Sequence, residues 1–237
     1  MRIDIISIFP RLFEPFLSES VLGKAVARGL VNVGVTDLRR FAEDKHSTTD
    51  DTPYGGGGGM VMLPAPLVKA VESLKQGGQP RVILTTPQGK LFNQKLAREL
   101  AEEEQLIIIC GRYRGVDERV RQLVVTDCVS IGDYVLGGGE NPAMVITEAV
   151  VRLIPGVVGN EDCVRADSFS SGLLEYPNYT RPEEFMGLSV PKVLTSGNHA
   201  EVERWRRRES LLRTRTLRSD LFEKIELSKE DKKLLEN

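Results

Sequence analysis

Apolar, β-branched runs recur along the chain at Ile3–Phe9, Val31–Leu38, Val82–Thr86, Leu106–Cys110 and Val124–Ile131. Each has the length of a strand, and several are continuously apolar. A strand buried on one face alternates apolar with polar. A strand covered on both faces does not, so these runs predict parallel strands inside a layered sheet. Between them the apolar spacing changes to a helical period. Leu12–Arg28 predicts a helix closed by Gly29, and Ala65–Leu74 one that stops before Gly77 and Gly78. Asn93–Glu103 carries Leu96 and Leu100 on its inner face, Asp117–Val124 is short, and Pro142–Ile154 begins with proline in its first turn. Strands and helices in alternation predict an α/β domain with a parallel sheet.

The pattern changes across the polar stretch Gly159–Phe169. Beyond it, "EYPNYTRPEEF" is irregular and proline-rich, and "HAEVERWRRRESLLRTRTLRSDLFEKI" reads as a long helix or helix pair. Ser228–Leu235 reads as a last helix, with Ser228 as its N-cap and Glu230 and Asp231 in its first turn. The expected organisation is a domain over residues 1–160, a flexible linker over 161–170 and a small helical domain over 171–237.

Composition narrows the class. A chain of 237 residues with 41% hydrophobic residues can bury a substantial core, and a net charge of −2 neither requires nor forbids nucleic acid. Cys110, Cys128 and Cys163 are odd in number and lack CxxC spacing. That points to a reducing compartment, no zinc site and inert buried thiols. No apolar stretch reaches the roughly 18 residues of a membrane span. The opening "MRIDIISIFP" reads as a first strand rather than a signal peptide. A soluble cytoplasmic protein is expected.

Three glycine-containing loops follow predicted strands: "TTPQGK", "CGRYRGVDER" and "IGDYVLGGGENP". Ligands of open α/β sheets bind at the carboxyl ends of strands. Three such loops therefore point to one shared pocket, against the simpler reading that glycine merely turns the chain. Neither GxGxxG nor GxxxxGK[ST] occurs in the third loop. The pocket suits a flat base and a sugar held by main-chain groups rather than a pyrophosphate. A fourth segment, "DKHSTTDDTPYGGGGGMVM", is either a flexible surface linker or a loop that closes over a substrate. Its His46 has no second histidine or cysteine nearby, which favours a base or phosphate contact over catalysis.

The helix from His199 carries Arg204, Arg206, Arg207, Arg208, Arg213 and Arg215, with Arg218 beyond, against Glu201, Glu203 and Glu209. Arginines in that density favour phosphate contact. Trp205 among them could stack on a base, although inward packing is the more ordinary role. Asp167 beside Ser168 reads, on composition alone, as a turn or cap.

These segments have a known counterpart. In order and spacing, "DKHSTTDDTPYGGGGGM", "CGRYRGVDERV", "SIGDYVLGGGENPAMVITEAVVRLIPG" and "DSFSSGLLEYPNYTRP" resemble the bacterial tRNA (guanine-N1)-methyltransferases of the SPOUT superfamily. So does the opening "IDIISIFPRLFEPFLSESVLGKAVARGL". The resemblance spans nearly the whole chain and weakens after about Phe222. It implies an α/β SPOUT fold whose parallel sheet carries a deep trefoil knot, with a small α-helical C-terminal domain. The periodicity alone suggests an unknotted sheet. It implies a homodimer that binds S-adenosylmethionine in the knot and methylates N-1 of the guanosine 3′ of the anticodon in tRNAs where a guanosine precedes it.

By the same resemblance, Ser130, Ile131, Gly132, Asp133, Tyr134, Val135 and Leu136 contact the cofactor, with Gly111 and Tyr113 from the preceding loop. Gly138, Gly139 and Pro142 complete the wall, and Thr85, Thr86 and Pro87 line the opposite side. His46, Tyr54, Gly57, Gly58, Gly59, Ser168, Arg206 and Arg207 fall on the RNA side. Asp167 takes the position of the general base and Arg152 that of a cation facing O-6 of guanine. Because Asp167 follows the knot on a linker, it is expected to serve the partner's cofactor. Two positions depart from the family. Arg114 stands where many members carry a glutamate tied to cofactor orientation and magnesium dependence, so Mg2+ is doubtful in this chain and no protein metal ligand is expected. Gly58 stands where proline is common. A silent RNA-binding module and a methyltransferase of ribosomal RNA or ribose are the alternatives. Asp167 with Arg152 counts against the first, and "DSFSSGLLEYPNYTRP" against the second.

Overall fold

A computed structural model describes residues 1–159, 164 and 166–236. The chain divides into two compact units, Met1–Gly159 and Asn160–Asn237. Residues 161–163 and 165 of the expected linker, Cys163 among them, lie outside the described residues.

The first unit is built on a five-stranded parallel sheet. Strand β1 (Arg2–Ser7) leads through a 3-10 turn, Pro10–Phe13, into α1 (Glu14–Ser18) and α2 (Ser20–Ala27). Strand β2 (Asn32–Asp37) follows, then the two-residue strands β3 (Asp50–Asp51) and β4 (Val61–Met62) and helix α3 (Pro64–Leu74). Next come β5 (Arg81–Leu91), α4 (Gln94–Ala101), β6 (Gln105–Cys110), α5 (Glu118–Leu123), β7 (Asp127–Ser130) and α6 (Glu140–Val151). The order across the sheet is β2-β1-β6-β5-β7, with every pairing parallel.

The continuous apolar runs are explained by burial on two sides. In β6, Leu106 and Ile108 enter one core with Phe13, Leu22, Leu100 and Ile146, while Ile107 and Ile109 enter a second with Leu38, Leu67, Val71 and Val120. Successive side chains point to opposite faces of a strand, so a central strand needs apolar residues at every position. Helices α4 and α6 cover the first face, and α3 and α5 the second.

Several boundaries differ from the periodicity. The single helix expected over Leu12–Arg28 is broken at Glu19, which is extended, and at Ser20, whose φ is 59°. Gly23 of α2 lies so close to the Ser18 carbonyl that a Cβ there would collide with it, so the second piece folds back across the first. Gly29 ends α2 as expected: φ is 68°, and Leu30 N–H donates to Ala25 O at 3.0 Å. Strand β5 runs past the expected Thr86 because it bulges. Thr85 and Lys90 both pair with Val129, so Thr86–Gly89 loops out of the ladder. Gly89 re-enters against the Cys128–Val129 backbone, where a Cβ would clash.

The second unit is mainly helical, with a β8–β9 hairpin (Glu184–Phe185 and Leu188–Ser189) that its irregular sequence did not suggest. It continues through α7 (Lys192–Thr195), α8 (His199–Leu217), α9 (Ser219–Phe222) and α10 (Lys229–Glu236). Leu211 and Thr214 of α8 are buried; the Thr214 hydroxyl accepts from Leu174 N–H at 2.8 Å. Ser228 and Asp231 form a reciprocal cap on α10: Asp231 N–H donates to Ser228 Oγ at 3.0 Å, and Ser228 N–H to Asp231 Oδ2 at 3.1 Å. No helix among the described residues is long and apolar enough to cross a membrane.

Arg207 ties α8 to α10 through a bidentate pair with the buried Asp231, at 2.7 and 2.9 Å. The guanidinium, helped by the Ser228 N–H and hydroxyl, holds the Asp231 carboxyl down at about 2. A carboxylate depressed on folding stabilises the fold above its unfolded pKa of ~3.9 and loses that contribution as pH falls through its folded value. Asp231→Asn is therefore expected to destabilise this unit by about 2 kcal/mol at neutral pH. Wild type and variant should converge as the pH drops from ~4 towards ~2. Urea unfolding followed by the fluorescence of Trp205, the single tryptophan and a residue of α8, measures both.

Candidate functional site

The carboxyl ends of β5, β6 and β7 open into a cavity of about 470 Å³. That lies in the range of about 300–1,000 Å³ usual for small-molecule sites. Every residue expected at the cofactor lines it except Asp133: the Thr85–Pro87 bulge, Gly111 and Tyr113 after β6, the run from Ser130 to Leu136, and Gly138, Gly139 and Pro142. Arg112, Arg114 and Gly137 join them; they lie in the loops expected at the pocket but not among the residues assigned to the cofactor.

The back wall is a crossing of three backbones. Gly139 N–H donates to Gly111 O at 2.8 Å, and Arg112 pairs with Gly138 across the gap. A Cβ on Gly139 would overlap the Thr85 hydroxyl and stand 2.8 Å from the Gly111 nitrogen. The buried Thr85 hydroxyl donates to Ile109 O at 3.0 Å, tying β5 to β6. No side chain fits at Gly139 beside the Thr85 hydroxyl, so the main chain itself forms the wall there. The Ser130 hydroxyl shapes the next turn, donating to Gly132 O at 3.0 Å and accepting from Gly132 N–H at 3.2 Å.

An ion pair lies behind this wall. Glu140 at the start of α6 is 2% exposed; its carboxylate accepts from Ser7 Oγ at 2.7 Å and from Arg112 Nε at 2.9 Å. Arg112 also donates to Gly137 O at 3.1 Å and stacks over the Phe9 ring at 4.6 Å. Burial pushes the Cys110 thiol well up, and the Glu140 charge adds to the effect, so this cysteine stays a neutral thiol.

At the mouth the side chains are bare. Val135 is 85% exposed, Tyr134 and Leu136 are also exposed, and Tyr113 adopts a left-handed φ of 58°. Apolar groups left open beside a polar-backed cavity suit a ligand with both a flat apolar part and hydrogen-bonding edges. The glycine segment meets this rim at its middle. Arg114 Nη1 donates to Gly57 O at 2.7 Å and Gly58 O at 3.0 Å. Tyr54 is fully exposed. His46 is exposed on a turn organised by Asp44, whose carboxylate accepts from the His46 and Thr48 N–H groups.

The other expected residues belong to other elements. Arg152 is exposed at the C-cap of α6, thirteen residues along the helix from Gly139, or about 20 Å at 1.5 Å per residue. Asp167 and Ser168 belong to the second unit, in a turn where Ser170 N–H donates to Asp167 O at 3.1 Å and Glu175 N–H donates to Ser168 Oγ at 3.0 Å. The arginine cluster is more neutralised than its count suggests. Arg206 bonds Glu203 and stacks on Tyr176, Arg207 is paired with Asp231, Arg208 meets Glu209, and Arg218 meets Asp220. Arg204, Arg213 and Arg215 are exposed and meet no carboxylate among the described residues. Trp205 is half-buried, its ring 6.3 Å from that of Tyr179. Among the described residues no group of three or more His, Cys, Asp or Glu could hold a metal ion. At position 114 the donor set is a cation bound to two carbonyls, which does not suit a divalent ion.

The family described as tRNA (Guanine-1)-methyltransferase TrmD matches residues 1–224. A protein of Brevibacillus brevis named tRNA (guanine-N(1)-)-methyltransferase is 59% identical over 235 residues, covering 99% of this chain and 97% of its own. Proteins of the same name from Dictyoglomus turgidum and Geotalea uraniireducens are each 56% identical, covering 100% of this chain and 96% of their own. With its glycine-walled cavity and this likeness along its whole length, the chain belongs to the tRNA (guanine-1)-methyltransferase family.

Proposed function

We propose that this protein is a cytoplasmic enzyme that methylates N-1 of the guanosine immediately 3′ of the anticodon in tRNAs with a preceding guanosine, using S-adenosylmethionine. The observation that carries the proposal is the cavity at the carboxyl ends of β5–β7, lined by the residues its family likeness assigns to the cofactor.

The residues present fit that cofactor. The wall of Gly111, Gly138 and Gly139 lets backbone N–H and C=O groups reach an adenine edge without an intervening side chain. The bulge at Thr86 and Pro87 and the open side chains of Tyr134 and Leu136 offer apolar surface to the ring and ribose. When bound, S-adenosylmethionine supplies a methyl group already activated on a sulfonium. The close crossing of 137–139 against 110–112 and Thr85 supports a knotted path for the chain.

The acceptor sets the harder requirement. N-1 of guanine carries a proton at neutral pH, and a carboxylate within hydrogen-bond reach can remove it. Asp167 takes that role. As the proton leaves, charge moves to O-6, and the guanidinium of Arg152 stabilises it there. Arg152 stands about 20 Å down α6 from its own chain's cavity wall, by the rise of the helix. That supports a homodimer in which Arg152 and Asp167 meet a guanine brought to the partner's cofactor. Ser168, the glycine loop with His46 and Tyr54, and the arginines of α8 hold the RNA, with Arg204, Arg213 and Arg215 carrying the open charge.

Two outcomes test this. Labelled S-adenosylmethionine should label tRNA transcripts carrying guanosine 3′ of the anticodon after another guanosine, and should leave transcripts with adenosine there unlabelled; equal incorporation would overturn the substrate assignment. Asp167→Asn should retain S-adenosylmethionine binding by calorimetry while turnover falls by about 10²-fold or more; unchanged turnover would remove Asp167 as the base.

A further inference from the structure

We propose that Arg114 is a positioning residue that fixes the five-glycine loop at the rim of the cavity and thereby presets the surface that RNA meets. The tRNA part of this inference rests on the methyltransferase reading above; the part that concerns loop order does not.

The loop has little else to hold its centre. All five residues Gly55–Gly59 take positive φ, from 67° to 99°. A Cβ on Gly55, Gly56 or Gly58 would meet nothing within 4 Å, so no packing surrounds these positions. Tyr54 beside them is fully exposed. The two ends are pinned by the β3–β4 pairs Asp50 with Met62 and Asp51 with Val61. The trailing end is pinned again where Arg114 N–H donates to Met60 O and Met62 N–H to Gly115 O, both at 3.0 Å. Between the pinned ends, the hydrogen bonds from the rest of the described residues to the loop's midpoint are the two from Arg114 Nη1 to Gly57 O and Gly58 O. The same side chain packs along Gly59, where a Cβ would stand 3.0 Å from Arg114 Cδ. Glycine has more conformational freedom to lose on ordering than any other residue, so a tether at the midpoint has a larger effect here than in an ordinary loop.

The chemistry of the tether matters. Nη1 is engaged with the loop, while Nε and Nη2 of Arg114 have no acceptor among the described residues, and no carboxylate there neutralises the guanidinium. A guanidinium keeps a second donor edge when one nitrogen is used. Arg114 can therefore hold the loop and still offer an anion-binding edge beside the cavity, which a lysine ammonium cannot do in the same geometry.

The test uses the full chain without cofactor or RNA, with hydrogen exchange followed on peptides covering residues 52–62. Arg114→Ala should speed exchange at Gly56–Met60 by about fivefold, the loss of roughly one net hydrogen bond, with peptides of the central strands unchanged. Arg114→Lys should restore part of that protection. In the same variants, tRNA affinity should fall in the order wild type, Lys, Ala. Loop exchange in Arg114→Ala equal to wild type would overturn the proposal, whatever the enzyme's activity. Loss of S-adenosylmethionine affinity with loop exchange unchanged would overturn it too, by making Arg114 a cofactor ligand.

Discussion

The contact between Gly139 and the ends of β5 and β6 is the constraint on which the site depends. Gly139 N–H reaches Gly111 O, and its α-carbon sits where any side chain would run into the Thr85 hydroxyl and the Gly111 nitrogen. Alanine in that place would force apart backbones that are also held by the Thr85–Ile109 hydrogen bond. Three chain segments meet here with only the Thr85 hydroxyl between them, so peptide groups line much of the cavity floor. A floor of that kind can read the edge of a base by hydrogen bonding, and small side-chain motions do not blur it. The same contact sets the start of α6, since Gly139 is its N-cap and offers no capping side chain.

Glu140 follows from that. It is the first residue of α6, where the helix N-terminus favours negative charge. A carboxylate buried this deeply would be costly alone, and Arg112 and Ser7 satisfy it. Arg112 in turn lies on the Phe9 ring and holds Gly137 O, so the ends of β1 and β6 and the glycine run after β7 share one polar cluster. Removing either charge would leave the other buried without its counterion, beside the crossing that forms the wall. Arg112 and Glu140 thus support the pocket from behind, and neither needs to touch a ligand to matter.

The sheet was legible because burial on two faces leaves a simple mark: Leu106, Ile107, Ile108 and Ile109 in an unbroken row. The pocket loops were legible through their glycines and their place after strands. What the sequence concealed are features set by distant contacts. The break at Ser20 depends on Gly23 meeting the Ser18 carbonyl, which no apolar period records. The bulge at Thr86–Gly89 depends on two residues of β5 claiming the same partner on β7, and the run "TTPQGK" looks the same with or without it. The β3–β4 and β8–β9 hairpins are two residues per strand, too short to show alternation. The separation of Arg152 from its own cavity wall is visible only once α6 is drawn at its length; thirteen residues in sequence say nothing of direction. The proposed knot, dimer and role of Asp167 rest on family likeness, and no pattern of hydrophobicity carries them.

The arginines of α8 show the limit of reading charge from composition. Seven in twenty positions look like a phosphate-binding face. Once folded, Arg207 is part of the small core's framework through Asp231, and Arg206, Arg208 and Arg218 each have a carboxylate beside them. A guanidinium already paired gains less from a phosphate, because the incoming anion must compete with the one in place. The sign of a residue is written in the sequence, but its free charge is decided by neighbours that can be three residues away, as Glu203 is from Arg206, or twenty-four, as Asp231 is from Arg207. On the helix the charge that meets no carboxylate among the described residues is smaller and more local, Arg204, Arg213 and Arg215, and at the cavity rim Arg114 bonds two neutral carbonyls. RNA recognition by this chain is therefore better located by asking which cations lack a carboxylate than by asking where cations are dense.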